Sequence, residues 1–263
     1  MADLAQVGTD RIAAAFAGHG RRAALMPYLM GGFPDLETSC AVGRASIEAG
    51  ADLLELGIPF SDPLADGPVI HAAGTHALAA GVTPDDVLGV CEELAAVPVL
   101  LMVYANMVLA GGAGRFVERA ATAGAAGLIV PDLPHDEAAE LREACDSGGL
   151  ALVPLVAPTT RPDRLREVGA DARGFVYTVS LTGTTGERAE LRPELTETVE
   201  RVRAATPVPV AVGFGIARPE QASRVADIAD GVIVGSRLVR AAGEGGAGEV
   251  GELVRDLARA LEN

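Results

Sequence analysis

The chain has 263 residues, 49% hydrophobic, 22% charged and 3% aromatic, a composition that supports one large buried core. Its 36 acidic against 21 basic residues give a formal net charge of -15, a field that repels nucleic acid and anionic lipid, so an anionic substrate must be gripped locally by backbone dipoles or a helix end. The three cysteines, Cys40, Cys91 and Cys145, form no CxxC pair and predict neither a disulfide framework nor a zinc site.

The opening residues lack the basic and apolar regions of a signal peptide, and no apolar run approaches the ~18 residues of a membrane span, so a cytoplasmic protein is the expectation. An N-terminal helix is expected ahead of the first apolar run, RAALMPYLM at 22–30. Asp35 then caps a helix over 35–49, and ADLLELG at 51–57 is the second run. Thr83 and Pro84 suit the cap and first turn of a helix over 84–96. PVLLMVY follows at 98–104, a helix over 113–123, and AGLIVPD at 126–132. The alternation continues with a helix over 135–147, LALVPLV at 150–156, a helix over 161–168 and RGFVYTVS at 173–180. A helix over 193–205, PVAVGFG at 209–215, a helix over 218–227, DGVIVGS at 230–236 and a helix over 237–261 complete the chain.

The joints repeat a phrase: EAGADLLEL, TAGAAGLIV and EVGADARGFVY each place glycine after a helix and small residues before an apolar run. Near-continuous apolar strands alternating with helices predict a parallel sheet covered on its faces. Eight such units in a chain of this length favour a closed (β/α)8 TIM barrel, read as a single domain over 1–263. A doubly wound open sheet is the alternative, but no GxGxxG follows the first strand. The Gly-rich AGEGGAGE at 242–249 reads as a loop or a helix break.

A barrel of this class does its chemistry on the loops leaving the strand C-termini. Glu55 lies in the second run, where alternation places it on one face with Leu53 and Gly57. It points either into the barrel mouth or beneath a helix. Apolar surroundings would raise its pKa and let it donate a proton near neutrality, while the alternative is a structural ion pair with an arginine. The long loop that follows carries Asp62, in a turn-forming Ser-Asp-Pro, and Asp66, a candidate helix cap or base. Two acids in different settings can supply one acid and one base. Tyr104 and Tyr177 end strands and can either pack or line the site. After the last two strands, Gly213 and Gly215 precede a helix started by Pro219, and Gly235–Ser236 opens another. Two helix N-termini at this place predict a phosphate site.

The stretch LELGIPFSDPLADG, from Leu54 to Gly67, resembles the signature of the tryptophan synthase alpha subunit family. PYLMGGFPD, YAN, PDLP, SLTGTTG, GFGI and GS extend the resemblance over nearly the whole chain. It implies a metal-free, cofactor-free lyase that cleaves indole-3-glycerol phosphate to indole and glyceraldehyde 3-phosphate, a retro-aldol step in tryptophan biosynthesis. By that resemblance Glu55 is the acid–base residue, Asp66 accepts the indole N–H, and Tyr177 lines the site. Thr185 and Gly186 match a loop that closes over substrate, and Gly186, Gly213, Phe214, Gly215, Gly235 and Ser236 hold the phosphate. The partner is a beta subunit in an alpha2-beta2 heterotetramer, met by Asn106, Asp132 and Pro134, and the PLP belongs to that partner. The chain contains no lysine, which excludes a Schiff-base aldolase and argues against indoleglycerol phosphate synthase. Phe33 stands where Asp commonly follows Gly, Met107 where Pro often follows Asn, and Leu181 with GERAEL alters the loop after the sixth run. Other readings are a different sugar-phosphate barrel enzyme, or a chain that serves chiefly to activate a partner.

Overall fold

In the computed structural model residues 7–179, 194–213 and 215–262 are described. Nine strands among them are all parallel: β1 Ala24–Met30, β2 Leu54–Gly57, β3 Val99–Met102, β4 Gly127–Ile129, β5 Ala151–Val153, β6 Leu155–Val156, β7 Val176–Val179, β8 Val210–Gly213 and β9 Gly231–Val234. Their order is β5-β4-β3-β2-β1-β9-β8-β7-β6. The terminal members, β5 and β6, are two pieces of one segment parted by Pro154, which has no N–H to give to a ladder. Its carbonyl still accepts from the Tyr177 amide at 2.9 Å, so the ring closes through the split strand. The fold is the expected (β/α)8 barrel, with the fifth apolar run broken in two.

Helices cover the ring: α1 Val7–Gly18, α2 Leu36–Glu48, α3 Pro68–Ala79, α4 Pro84–Leu94, α5 Ala105–Leu109, α6 Ala113–Thr122, α7 Ala139–Gly148, α8 Pro162–Asp171, α9 Glu194–Arg203, α10 Pro219–Ala226 and α11 Ser236–Ala260. The caps read from sequence are present. The Asp35 side chain accepts from Thr38 N, and Thr83 and Asp86 form a reciprocal capping box. Two helices go beyond the predicted elements. PVIHAAGTHALA builds α3 on a buried face of Ile70 and the small residues Ala73, Gly74 and Ala77, with no Asp, Glu, Lys or Arg to mark an opposite face. α5 is a single short turn after β3. The Gly-rich 242–249 stretch proves to lie within α11, which kinks at Gly246.

Strand alternation sorts the side chains into two cores. Leu25, Leu29, Leu54, Leu56 and Leu101 face outward beneath the helices. Met26, Tyr28, Leu53, Leu100, Ile129 and Phe175 fill the interior. The N-terminal mouth is plugged by α1. Ile12 is fully buried in the inner core, and the Phe16 and Phe175 rings lie 5.5 Å apart. Arg11 ties the plug down by donating to the carbonyls of Ala95, Val97 and Gly124 at 2.7–2.9 Å.

The joints also carry a repeated polar device. Asp52 pairs with Arg21 and accepts from the buried Leu25 amide of β1 at 2.8 Å. Asp230 does the same before β9, pairing with Arg203 and accepting from Val210 N at 2.8 Å. Each acid lets one strand entry satisfy its neighbour. Asp52→Ala leaves the buried Leu25 N–H without its acceptor and the Arg21 guanidinium with the Gly50 carbonyl alone, at a cost of about 1–3 kcal/mol. The check is urea unfolding: the midpoint is expected to fall at constant m-value, and an unchanged midpoint contradicts this role.

Candidate active site

The C-terminal mouth opens opposite the α1 plug, and its floor is set by the β1–β2–β3 register. Tyr28, Glu55 and Leu100 are cross-strand partners, and Tyr28 and Leu100 belong to the inner core. Glu55 therefore points into the barrel, not beneath a helix. It is 1% exposed. Neither carboxyl oxygen has a hydrogen-bond partner among the described residues, so no arginine pairs with it there. Burial, and secondarily the charge of Asp66, push its pKa up from 4.5 to about 8. A lone carboxylate in such a place is costly, and the group stays neutral instead.

Asp66 reaches the same mouth from the loop between β2 and α3. It does not cap the helix, since Gly67 holds that position. Tyr104, at the end of β3, donates its hydroxyl to Asp66 Oδ1 at 2.9 Å and accepts from Ala65 N at 3.1 Å. Phe60 stacks on the Tyr104 ring at 5.0 Å. Burial raises the Asp66 pKa, while the Tyr104 hydroxyl and the His71 charge oppose the rise. Glu55 has no such donor, so of the two acids it is Glu55 whose protonated form the site favours the more, while the Tyr104 hydroxyl favours ionised Asp66. Asp62, by contrast, is exposed.

Tyr177 projects inward from β7, its ring 6.5 Å from Phe175. Burial and the charge of Glu55 raise its pKa well above the ordinary value, which keeps the phenol protonated and places it in the same field as the acid. Its hydroxyl lies over Gly213, where a Cβ would come within 2.3 Å of it. Tyr28 repeats the arrangement from β1 to β2, its hydroxyl 2.2 Å from where a Cβ on Gly57 would be. Glycine at these two strand ends makes room for a tyrosine hydroxyl. The strand-end positions that single out Tyr104 and Tyr177 in the sequence do not single out Tyr28. The signal available was alternation in ALMPYLM, which sets Tyr28 on one face with Met26 and Met30.

The expected phosphate cradle is reached in part. Gly213 ends β8, Gly215 has φ +87°, and Gly235 precedes α11, whose first residue is Ser236. Among the described residues no side chain caps the α11 N-terminus, the kind of helix end that an anion can occupy. The α10 N-terminus differs. Gln221 Oε1 accepts from Ala217 N at 2.9 Å and Arg218 N at 3.1 Å, so α10 supplies its own acceptor. A Cβ on Gly235 would lie 3.5 Å from Tyr28 Cβ, which sets the open helix end beside the strand that faces Glu55. Phe214, Thr185 and Gly186 lie outside the described residues.

Asn106, Asp132 and Pro134 are exposed at the strand C-terminal side. The Asp132 carboxylate accepts from Ala105 N at 2.8 Å, joining the loop after β4 to the start of α5. Leu64, 75% exposed, and Leu109 add apolar surface to the loops after β2 and β3. Of the unusual positions, Phe33 packs edge-on against His76 at 5.4 Å, and Met107 is half-buried against the outer core. A cavity of about 440 Å³ beside the mouth is lined by Asp132, Pro134, His135, Arg142 and Pro154 among others, and by none of Glu55, Asp66 and Tyr177.

The sequence profile of the tryptophan synthase alpha chain matches residues 15–261. The chain belongs to the tryptophan synthase alpha chain family. The alpha chain of Gloeobacter violaceus is 48% identical over 272 residues, covering 100% of this chain and 98% of that one. That of Carboxydothermus hydrogenoformans is also 48% identical, over 88% of each chain. Among solved structures, Mycobacterium tuberculosis tryptophan synthase superposes with a TM-score of 0.90 at 39% identity, over 98% of this chain and 99% of that chain. The groups that stand in the C-terminal mouth are a buried carboxyl without a hydrogen-bond partner, a carboxyl held by a phenol, and inward-facing phenols. Among the described residues, no group of His, Cys, Asp and Glu is placed to hold a metal ion, and no helix is long and apolar enough to cross a membrane.

Proposed function

We propose that the chain is an alpha subunit that cleaves indole-3-glycerol phosphate to indole and glyceraldehyde 3-phosphate in the cytoplasm, acting as one domain and passing indole to a beta subunit. The observation that carries the reading, beyond family membership, is the pairing of a buried, unpartnered Glu55 with an Asp66 held by a phenol. Glu55 gives its proton to indole C3, turning the ring into a leaving group. The carboxylate so formed takes the proton of the hydroxyl on the carbon joined to the ring. The bond between that carbon and C3 then breaks, its electrons return to the ring, and an aldehyde is left. Glu55 ends the cycle protonated, as it began. Asp66 accepts the indole N–H and balances the positive ring formed by C3 protonation. Tyr177 lines the pocket, while the α11 N-terminus with Gly213, Phe214, Gly215, Gly235 and Ser236 takes the phosphate, and Thr185 and Gly186 belong to the closing loop.

The chemistry needs no carbonyl-trapping amine, and the chain has no lysine to supply one. No cofactor is assigned to it, and the PLP of the assembly belongs to the beta subunit. Asn106, Asp132 and Pro134 are proposed to meet that partner in an alpha2-beta2 assembly.

The test is indole release from indole-3-glycerol phosphate by the purified chain, alone and with a beta subunit. Release that the partner increases supports the proposal. Turnover of other sugar phosphates with none of this one would contradict it. A further expectation concerns Tyr104. Its hydroxyl stabilises ionised Asp66, so Tyr104→Phe raises the Asp66 pKa. The acid limb of kcat/KM then moves to higher pH, and turnover at neutral pH falls roughly 10-fold, as for a lost hydrogen bond to a charged group. An unmoved acid limb contradicts the assignment of Asp66.

A further inference from the structure

The proposed cycle makes Glu55 a carboxylate for part of each turnover, in a place where no described residue offers it a hydrogen bond at rest. Asp66, which must be ionised throughout, already has its phenol: Tyr104 donates to it at 2.9 Å. A buried carboxylate without a donor is costly, so a group must answer the charge on Glu55 when it forms. The neighbouring strand supplies one. Tyr28 is the cross-strand partner of Glu55 in the β1–β2 register. Both face the interior, and Tyr28 is only 4% exposed. Its ring leans across toward β2, so that the hydroxyl overhangs Gly57, two residues beyond Glu55 on the same face of the strand. Gly57 keeps that place open, since a Cβ there would lie 2.2 Å from the hydroxyl.

We infer that Tyr28 is a positioning residue for the Glu55 carboxyl, its hydroxyl donating a hydrogen bond to the carboxylate that Glu55 becomes once its proton has gone to the substrate. The phenol is suited to that duty. Burial, with the charges of Asp66, Glu55 and Tyr104, holds its pKa well above the ordinary value, so Tyr28 keeps its proton while Glu55 titrates. The other groups facing this pair are Asp66 from the loop after β2, Tyr104 from the end of β3 and Tyr177 from β7, with His71 of α3 acting on Asp66. Each acid thereby has one phenol: Tyr104 permanently for Asp66, and Tyr28 for Glu55 only when it ionises.

This inference rests on the lyase reading. Its test is the pH profile of kcat for indole release in Tyr28→Phe, which keeps the ring and removes only the hydroxyl. Loss of a donor to the carboxylate raises the Glu55 pKa. Because the acid form of Glu55 is the active one, the alkaline limb of kcat moves to higher pH, by about one unit or more. At neutral pH kcat falls about 10-fold or more, while KM stays within about twofold. Gly57→Ala, which pushes the ring aside with the hydroxyl intact, is expected to shift the limb the same way. A Tyr28→Phe enzyme with the wild-type limb and kcat overturns the inference, as does a variant that loses only thermal stability. Tyr177→Phe moving the limb while Tyr28→Phe does not would assign the role to Tyr177 instead. If the wild-type chain releases no indole at all, the lyase reading fails; if it does and Tyr28→Phe is unaltered, only this inference fails.

Discussion

Glu55→Gln is expected to lower kcat for indole release by about 10²–10⁴-fold, the usual worth of a general acid, with KM within about threefold of wild type. The amide keeps the size and the buried position but has no proton to give C3. The same substitution has an opposite effect on stability. The Glu55 pKa is raised from 4.5 to about 8 in the folded chain, so between those values the folded state binds a proton that the unfolded state has released. Unfolding is then favoured as pH rises through that window. Glutamine carries no such penalty, so the melting temperature of the variant is expected to gain on wild type from about pH 5 to about pH 8. An inactive enzyme that is more stable at alkaline pH separates loss of chemistry from loss of fold. A variant that is less stable at every pH, or one with near-normal turnover, contradicts the role given to Glu55.

Asp66→Asn is the second large effect. Asparagine retains an oxygen for the Tyr104 hydroxyl but loses the charge that balances the protonated indole ring. Removing one preorganised electrostatic group of this kind costs about 10²–10³-fold in kcat. The pH profile separates it from Glu55→Gln. The alkaline limb, set by Glu55, is expected to move to lower pH, because Asp66 contributes to raising the Glu55 pKa and that contribution is gone. Steady-state kcat measured across pH checks both. A loss of less than about threefold, with the limb unmoved, would show that the two acids do not act as a pair.

The barrel was legible in the sequence because a parallel strand buried on both faces leaves a continuous apolar run, and each glycine joint marks its start. Alternation put Glu55 on one face with Leu53 and Gly57 but left both faces open to it, and only the register with Tyr28 and Leu100 turns that face inward. What alternation could not supply was the company it keeps. Tyr28 sits on a different strand, and only the register sets it against Glu55. The Tyr104–Asp66 bond spans a sequence separation of 38 residues, beyond any local pattern. The α3 helix is hard to read because Ile70 is the one large residue on a buried face otherwise made of alanine and glycine, which leaves a weak apolar stripe. The two helix N-termini expected to share the phosphate proved unequal, because Gln221 caps the approach to α10 in a position where Arg218, not Ser or Thr, occupies the N-cap. The capping pattern that would have signalled it was therefore missing.

The proposed mechanism needs a carboxylic acid that stays protonated near neutral pH. The most direct measurement is a 13C NMR titration of the carboxyl carbon of Glu55 in the full chain labelled at glutamate, with Glu55→Gln identifying the resonance. A midpoint near pH 8 is expected, following the value of about 8 set by burial and Asp66. A midpoint near the ordinary 4.5 would leave Glu55 ionised at neutral pH, with no proton for C3, and would contradict the mechanism proposed for this mouth.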